Sequence, residues 1–224
     1  MTAAFVTSTG TDIGKTFVAR GLIRHFIDGH RKVEALKPVV SGFDEREAAG
    51  SDPGLLLSAL GVDPDVDRIA GISPWRFAAP LSPHLAAERE DRAIDFAQLV
   101  DFSRDAINRR PDVLLIEGAG GIMVPLDGTH TVLDWMAELR LPLLLVAGSY
   151  LGTISHTLSA LDVLERRALK VAAVVVSETP ESSVRLDETV DSIADFAAAP
   201  VIALPRLPPG RLDHPAFQQI AATL

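Results

Sequence analysis

A chain of 224 residues with 30 acidic against 21 basic side chains and a formal net charge of −9 argues against nonspecific binding to nucleic acid or to an anionic membrane, since both need a basic face. It has no cysteine, which removes disulfides, thiolate metal sites and a cysteine nucleophile together. No Pro/Ser-rich linker, leader pattern or run of about 18 apolar residues interrupts it, so one domain over residues 1–224 and a cytoplasmic location are expected.

Ala3 to Thr7 reads as a buried first strand. A Gly/Thr/Asp turn follows, and Gly14-Lys15-Thr16 opens a helix to about Asp28 with Val18, Leu22, Ile23, Phe26 and Ile27 on one stripe. Strand, loop and helix in that order form the setting of a phosphate loop, whose helix-start amides can cradle phosphate oxygens. Asp12, Ile13, Gly14, Lys15, Thr16 and Phe17 are therefore the candidate nucleotide site, with Lys15 on the β/γ-phosphates and the Thr16 hydroxyl on Mg²⁺. The strict pattern G-x-x-x-x-G-K-[ST] is missed by one residue, because Thr9 stands where its first glycine belongs and Gly10 comes one place later.

Val33 to Lys37 is a short strand stopped by Pro38, and Val39 to Gly42 reads as a loop at its carboxyl end. Lys37 and Ser41 then point to where open α/β sheets bind ligands, although a strand-end surface charge is the plain alternative for Lys37. Only four lysines occur against seventeen arginines, which somewhat favours a use for the compact ammonium at each, with coding bias as the plain alternative. Phe43 to Gly50 has the look of a mobile acidic loop, and Ser51-Asp52-Pro53 of a helix start. Asp52 is either its cap or a carboxylate on a metal ion. Pro74 to His84 carries too many prolines for helix or central strand and is expected as an ordered surface loop anchored by Trp75 and Phe77.

Asp95 to Asn108 has helical periodicity and feeds a strand from Asp112 that runs through four consecutive apolar residues into Glu117-Gly118-Ala119-Gly120-Gly121. A carboxylate ending a buried parallel strand sits where phosphate-loop enzymes hold Mg²⁺, and a salt bridge at a strand end is the alternative. Thr131 caps a helix to Leu139, Pro142 to Ala147 is a buried strand, and a helix to about Arg167 begins after Gly152 with a free anion-binding end. Lys170 to Val176 is a strand, roughly Ser183 to Phe196 a helix, Val201 to Leu204 a short strand, and the tail weakly helical. The alternation implies an α/β fold, a mostly parallel sheet flanked by helices on both faces, of the P-loop NTPase type. The six histidines show no metal-ligand spacing.

Five stretches in this order resemble the dethiobiotin synthetase family over nearly the whole chain: Phe5-Val6-Thr7 with Gly14-Lys15-Thr16, Lys37-Pro38-Val39-Val40-Ser41-Gly42, Phe77 to His84, Glu117 to Gly121, and Leu151 to His156. The resemblance implies an ATP-dependent ligase of biotin biosynthesis that joins CO₂ to 7,8-diaminononanoate and closes a ureido ring, yielding dethiobiotin, ADP and phosphate. It implies Lys37 and Lys15 as catalytic cations, Thr16, Asp52 and Glu117 as Mg²⁺ ligands, and Ser41 on the substrate. Glu117, Gly118, Ala119 and Gly120, with Ser177, Glu178, Pro205, Arg206 and Leu207, are implied around the nucleotide. It further implies a homodimer in which Gly152, Thr153 and Ile154 of the neighbouring chain hold the substrate carboxylate. Two departures stand out. Ser8 replaces a family glycine, and Glu181 to Phe196 lacks a Tyr that some members use. ATP-selective members carry Asn where this chain has Ser177, so relaxed base selectivity is expected. A partition-type ATPase switch is the nearest rival, but such proteins carry an early second lysine that Thr7 to Ile13 lacks. A cobalamin-pathway amidotransferase is excluded by the missing cysteine.

Overall fold

The computed structural model describes residues Met1–Leu224. In chain order the elements are β1 (Thr2–Ser8), α1 (Lys15–Asp28), β2 (Val33–Leu36), β3 (Val39–Ser41), a 3-10 turn (Glu45–Gly50), α2 (Asp52–Ala59), α3 (Val66–Ile72), β4 (Trp75–Phe77), α4 (Pro83–Arg89), α5 (Phe96–Asn108), β5 (Val113–Glu117), α6 (Val132–Leu139), β6 (Leu143–Gly148), α7 (Thr153–Arg166), β7 (Val171–Ser177), α8 (Leu186–Ala194), β8 (Val201–Leu204) and α9 (Pro215–Ala221). Six strands form one sheet in the order β2-β5-β1-β6-β7-β8, every neighbouring pair parallel.

Side chains alternate across each strand, so an all-apolar strand must be covered twice. Phe5, Leu114, Ile116, Leu143 and Leu145 face α5, α6, α7 and α8 in one apolar cluster. Val6, Val113, Leu115, Leu144 and Val146 face α1, α2 and α9 in a second. The α1–α9 contact is close enough to require glycine: a Cβ on Gly21 would lie 2.0 Å from the Phe217 ring. The chain leaves β1 for β2 at one edge, returns through β5, and moves to the other side at β6. The crossover point therefore lies at the carboxyl end of β1, where open α/β sheets place their ligand crevice.

The main strands and helices stand where the sequence places them, within a residue or two. Five segments differ. Val39–Ser41 and Trp75–Phe77 were expected as loops and instead pair in parallel as a separate two-stranded sheet, with Pro38 and Pro74 outside the strands, where a missing N–H costs no ladder bond. Pro83 opens α4 from the first turn, as its fixed φ favours. Residues 43–50, expected as a mobile loop, contain the 3-10 turn, capped where the Asp44 side chain accepts from Arg46 N. The helix expected from Ser183 starts only at Leu186, because the Ser182 hydroxyl, within reach of the Ser149 carbonyl and accepting from Val184 N, bends the chain first.

Candidate functional site

The carboxyl ends of the strands enclose a cleft of about 670 Å³. β1 ends at Ser8, the chain turns through Asp12 at φ 57°, and Gly14 at φ 99° leads into α1 without a side-chain cap. The first amides of α1 are therefore left for an anion. Gly14 is required twice over: its φ lies in the left-handed region, and a Cβ there would meet Ser177 Oγ at 2.8 Å. Asp12, Ile13, Gly14, Lys15, Thr16, Lys37, Ser41, Asp52, Ala119 and Gly120 all line the cleft.

At its floor lies a charge network. Lys37, 3 % exposed, donates to Glu117 Oε1 at 2.8 Å and to the Gly118 carbonyl at 2.7 Å, with Asp52 Oδ2 at 3.4 Å. It is no surface charge. Asp52 is no cap either: the Ser51 hydroxyl accepts from Gly54 N and starts α2, which leaves the Asp52 carboxylate free to face the cleft. Burial alone would lower the Lys37 pKa, but Glu117 and Asp52 overcome it and the value is raised. Burial would likewise raise the Asp52 pKa, and Lys37 with the Thr16 hydroxyl turns that into a lowering. Lys15 has no carboxylate in contact. It donates to Ser8 Oγ at 3.0 Å and to the Gly10 carbonyl at 3.2 Å. Burial and then the Lys37 ammonium lower its pKa to about 8, with Glu117, Asp52 and Asp12 only partly offsetting them.

Thr16 Oγ1 stands 2.9 Å from Asp52 Oδ1 and 2.8 Å from Glu117 Oε1. A hydroxyl has one proton, so it can satisfy only one of these oxygens. Glu117 Oε2 is buried with no hydrogen-bond partner at all. Two carboxylates short of donors around one hydroxyl fit a cation, and three oxygen ligands with space left for phosphate suit Mg²⁺. No group of three or more His, Asp and Glu side chains comes together anywhere in the chain, so any ion here rests on this sparse set.

Several expected residues stand outside the cleft lining. The Phe17 ring packs edge-on to Phe217 at 5.9 Å. Glu178 accepts from Arg206 N at 2.8 Å, which ties the end of β7 to the Pro205–Leu207 segment, while Ser177 pairs with Leu204. Gly152 begins α7 at φ 98° with no side-chain cap, and Thr153 turns its hydroxyl inward onto the Gly148 carbonyl at 2.9 Å. Ile154 is half-buried beside it. Thr11, Val39, Val40, Val124 and Pro80 to Pro83 do line the cleft and received no role from the sequence. Val39, Val40 and Pro80 to Pro83 lie in stretches that carry the family resemblance, Thr11 lies in the phosphate-loop turn, and Val124 had no signal.

A family model described as an AAA domain matches residues 2–210. The chain is 50 % identical over 208 residues to an ATP-dependent dethiobiotin synthetase of a Caulobacter species, covering 92 % of this chain and 89 % of that protein. A second, from Acidiphilium cryptum, is 47 % identical over 194 residues, 86 % of this chain and 87 % of its own. Among solved structures, the septum site-determining protein MinD of Pyrococcus horikoshii, complexed with Mg-ADP, superposes with a TM-score of 0.60 at 14 % identity, covering 98 % of this chain and 94 % of that one. At that identity the likeness shows the fold alone. With close to half of all residues shared along almost the full length of these relatives, the chain belongs to the ATP-dependent dethiobiotin synthetase family.

Proposed function

We propose that this protein carboxylates 7,8-diaminononanoate and closes its ureido ring at the cleft described above, at the expense of ATP. One substrate amine adds to CO₂ and loses a proton, giving a carbamate anion. A carbamate oxygen attacks the γ-phosphorus, ADP leaves, and a carbamic–phosphoric mixed anhydride remains. The second amine attacks the anhydride carbon, phosphate leaves, and the cyclic urea is dethiobiotin.

The difficulty lies in the second step, where an anion must approach a triphosphate. Preorganised cations answer it, because inside a water-poor cleft they need no reorientation as charge moves. Lys15 serves the phosphates, and Lys37 serves the carbamate side with the Ser41 hydroxyl, a buried oxygen with no partner in the protein. Thr16, Asp52 and Glu117 fit Mg²⁺, which when bound would neutralise part of the phosphate charge. Ser177, Glu178 and residues 205–207 flank the nucleotide.

The whole of 1–224 acts as one catalytic domain, working as a homodimer whose second copy offers the start of α7 at Gly152 to Ile154 to the substrate carboxylate. Supporting this, Leu151 is 81 % exposed and Met123 56 % exposed, apolar surface that a second copy would cover. No helix is long and apolar enough to cross a membrane.

The observation that carries the reading is the Lys37 ammonium held between Glu117 and Asp52 beside a phosphate loop, a cation placed where two anions must meet. ADP release measured with a coupled assay tests it. Release must require both diaminononanoate and bicarbonate, and equal release without the diamine would overturn the reaction proposed.

A further inference from the structure

Ser8 ends β1 and is 0 % exposed. Three polar groups surround its hydroxyl: Lys15 Nζ at 3.0 Å, the Gly120 carbonyl at 3.0 Å and the Gly10 carbonyl at 2.5 Å. An ammonium only donates, so the Ser8 oxygen must accept from Lys15. Its single proton is left for one carbonyl. Lys15 itself reaches the Gly10 carbonyl at 3.2 Å, and because a carbonyl oxygen can accept twice, the Ser8 proton goes to Gly10, the nearer of its two acceptors. The result is a closed cluster in which Ser8 and the Gly10 carbonyl hold the Lys15 ammonium together at the start of the phosphate loop.

We infer that Ser8 is a positioning residue for Lys15, holding the ammonium so that its one uncommitted N–H faces the phosphates of the nucleotide. The inference rests on the role given to Lys15 above and deepens it. A lysine stem has four rotatable bonds, and an ammonium left unheld must give up that freedom each time a nucleotide binds. Two bonds from inside the protein, to Ser8 and to Gly10, fix it beforehand, and preorganisation of this kind appears as affinity. A hydroxyl suits the task. Its oxygen can accept from the cation while its proton anchors to the Gly10 carbonyl, whereas a carboxylate at this position would neutralise the charge that the phosphates need. The plain alternative is that Ser8 merely ties the loop at Gly10 to the turn at Gly120.

A double-mutant cycle on the full chain separates the two, with ADP affinity measured by calorimetry and the kinetic constants for ATP measured in parallel. Ser8→Ala weakens ADP by about tenfold and raises KM for ATP similarly, the size expected for a hydrogen bond to a charged group, with kcat changed less than about threefold. Ser8→Thr, which keeps the hydroxyl, restores affinity to within about threefold, well inside the loss it repairs. In a Lys15→Met background, Ser8→Ala changes ADP affinity by less than about twofold, because its partner is gone. Ser8→Gly, which removes the hydroxyl without adding a buried methyl, guards against a packing fault in the alanine variant. Equal weakening with and without Lys15, or wild-type affinity in both the alanine and glycine variants, overturns the inference. The expected cycle in a protein that makes no product from diamine and bicarbonate would uphold the Ser8–Lys15 link and sink only the proposed reaction.

Discussion

Lys37 Nζ lies 2.8 Å from Glu117 Oε1, with side chains 4 % and 1 % exposed, so the principal cation of the site is also half of a buried ion pair. Taking two charges out of water is costly, and Gly118, Asp52 and Thr16 add contacts that offset part of that cost while Glu117 Oε2 stays without a partner. Replacing Lys37 therefore has two consequences. Lys37→Ala should lower kcat by at least two orders of magnitude, about 3–4 kcal/mol of transition-state stabilisation. It should also cost about 3–5 kcal/mol of stability by leaving Glu117 charged and unpaired. Steady-state kinetics beside a thermal melt reads both, and a variant with near wild-type turnover would return Lys37 to a structural role.

The orphan oxygen of Glu117 gives the second prediction. Glu117→Gln keeps the shape but removes the charge, so the Mg²⁺ concentration for half-maximal activity should rise by about tenfold or more, and Mg²⁺ with ADP, which should raise the melting temperature of the parent, should raise that of the variant far less. EDTA should abolish activity in both. An unchanged Mg²⁺ titration would make Glu117 a partner of Lys37 and nothing else.

Lys15 and Lys37 are both buried yet shifted in opposite directions, because only Lys37 touches carboxylates. The free-enzyme profile of kcat/KM for ATP should therefore have an alkaline limb near pH 8, the value to which Lys15 is lowered. Below that pH Lys15 is charged and active, and above it the cation is lost while Lys37 stays protonated. Lys15→Arg, always charged, should remove the limb whatever it does to the absolute rate. A limb that persists unchanged in that variant assigns it to another group.

How much of this was legible in the sequence follows from the range over which each feature is determined. β5 and β6 are short apolar runs whose burial on both faces is written in their composition, and the phosphate loop is a local pattern. β3 and β4 were missed because each is three residues long and exists only through pairing with the other, across 33 residues of chain that a periodicity cannot bridge. Whether Asp52 caps α2 turned on the Ser51 rotamer, and whether Lys37 is a surface charge or a buried cation on a contact 80 residues away. Ser8 was visible as a departure from the family pattern, but its bond to Lys15 depends on where the loop returns.

Base selectivity gives a further prediction. Ser177 stands against Gly14, where a Cβ would meet its oxygen at 2.8 Å, and its single hydroxyl cannot form a two-bond pair with an adenine edge. CTP or GTP should be used within about tenfold of the ATP efficiency, one lost pair being worth roughly 1–3 kcal/mol of discrimination. The four values of kcat/KM decide it. A preference for ATP above about a hundredfold would exceed what a site lacking that pair should give, and so place adenine recognition on another residue.

The most direct test of ring closure follows the carbon. With labelled bicarbonate, ATP and diaminononanoate, the account predicts one label in an acid-stable cyclic urea for each ADP released, with none when either the diamine or ATP is omitted. ADP released without label in that product would contradict it.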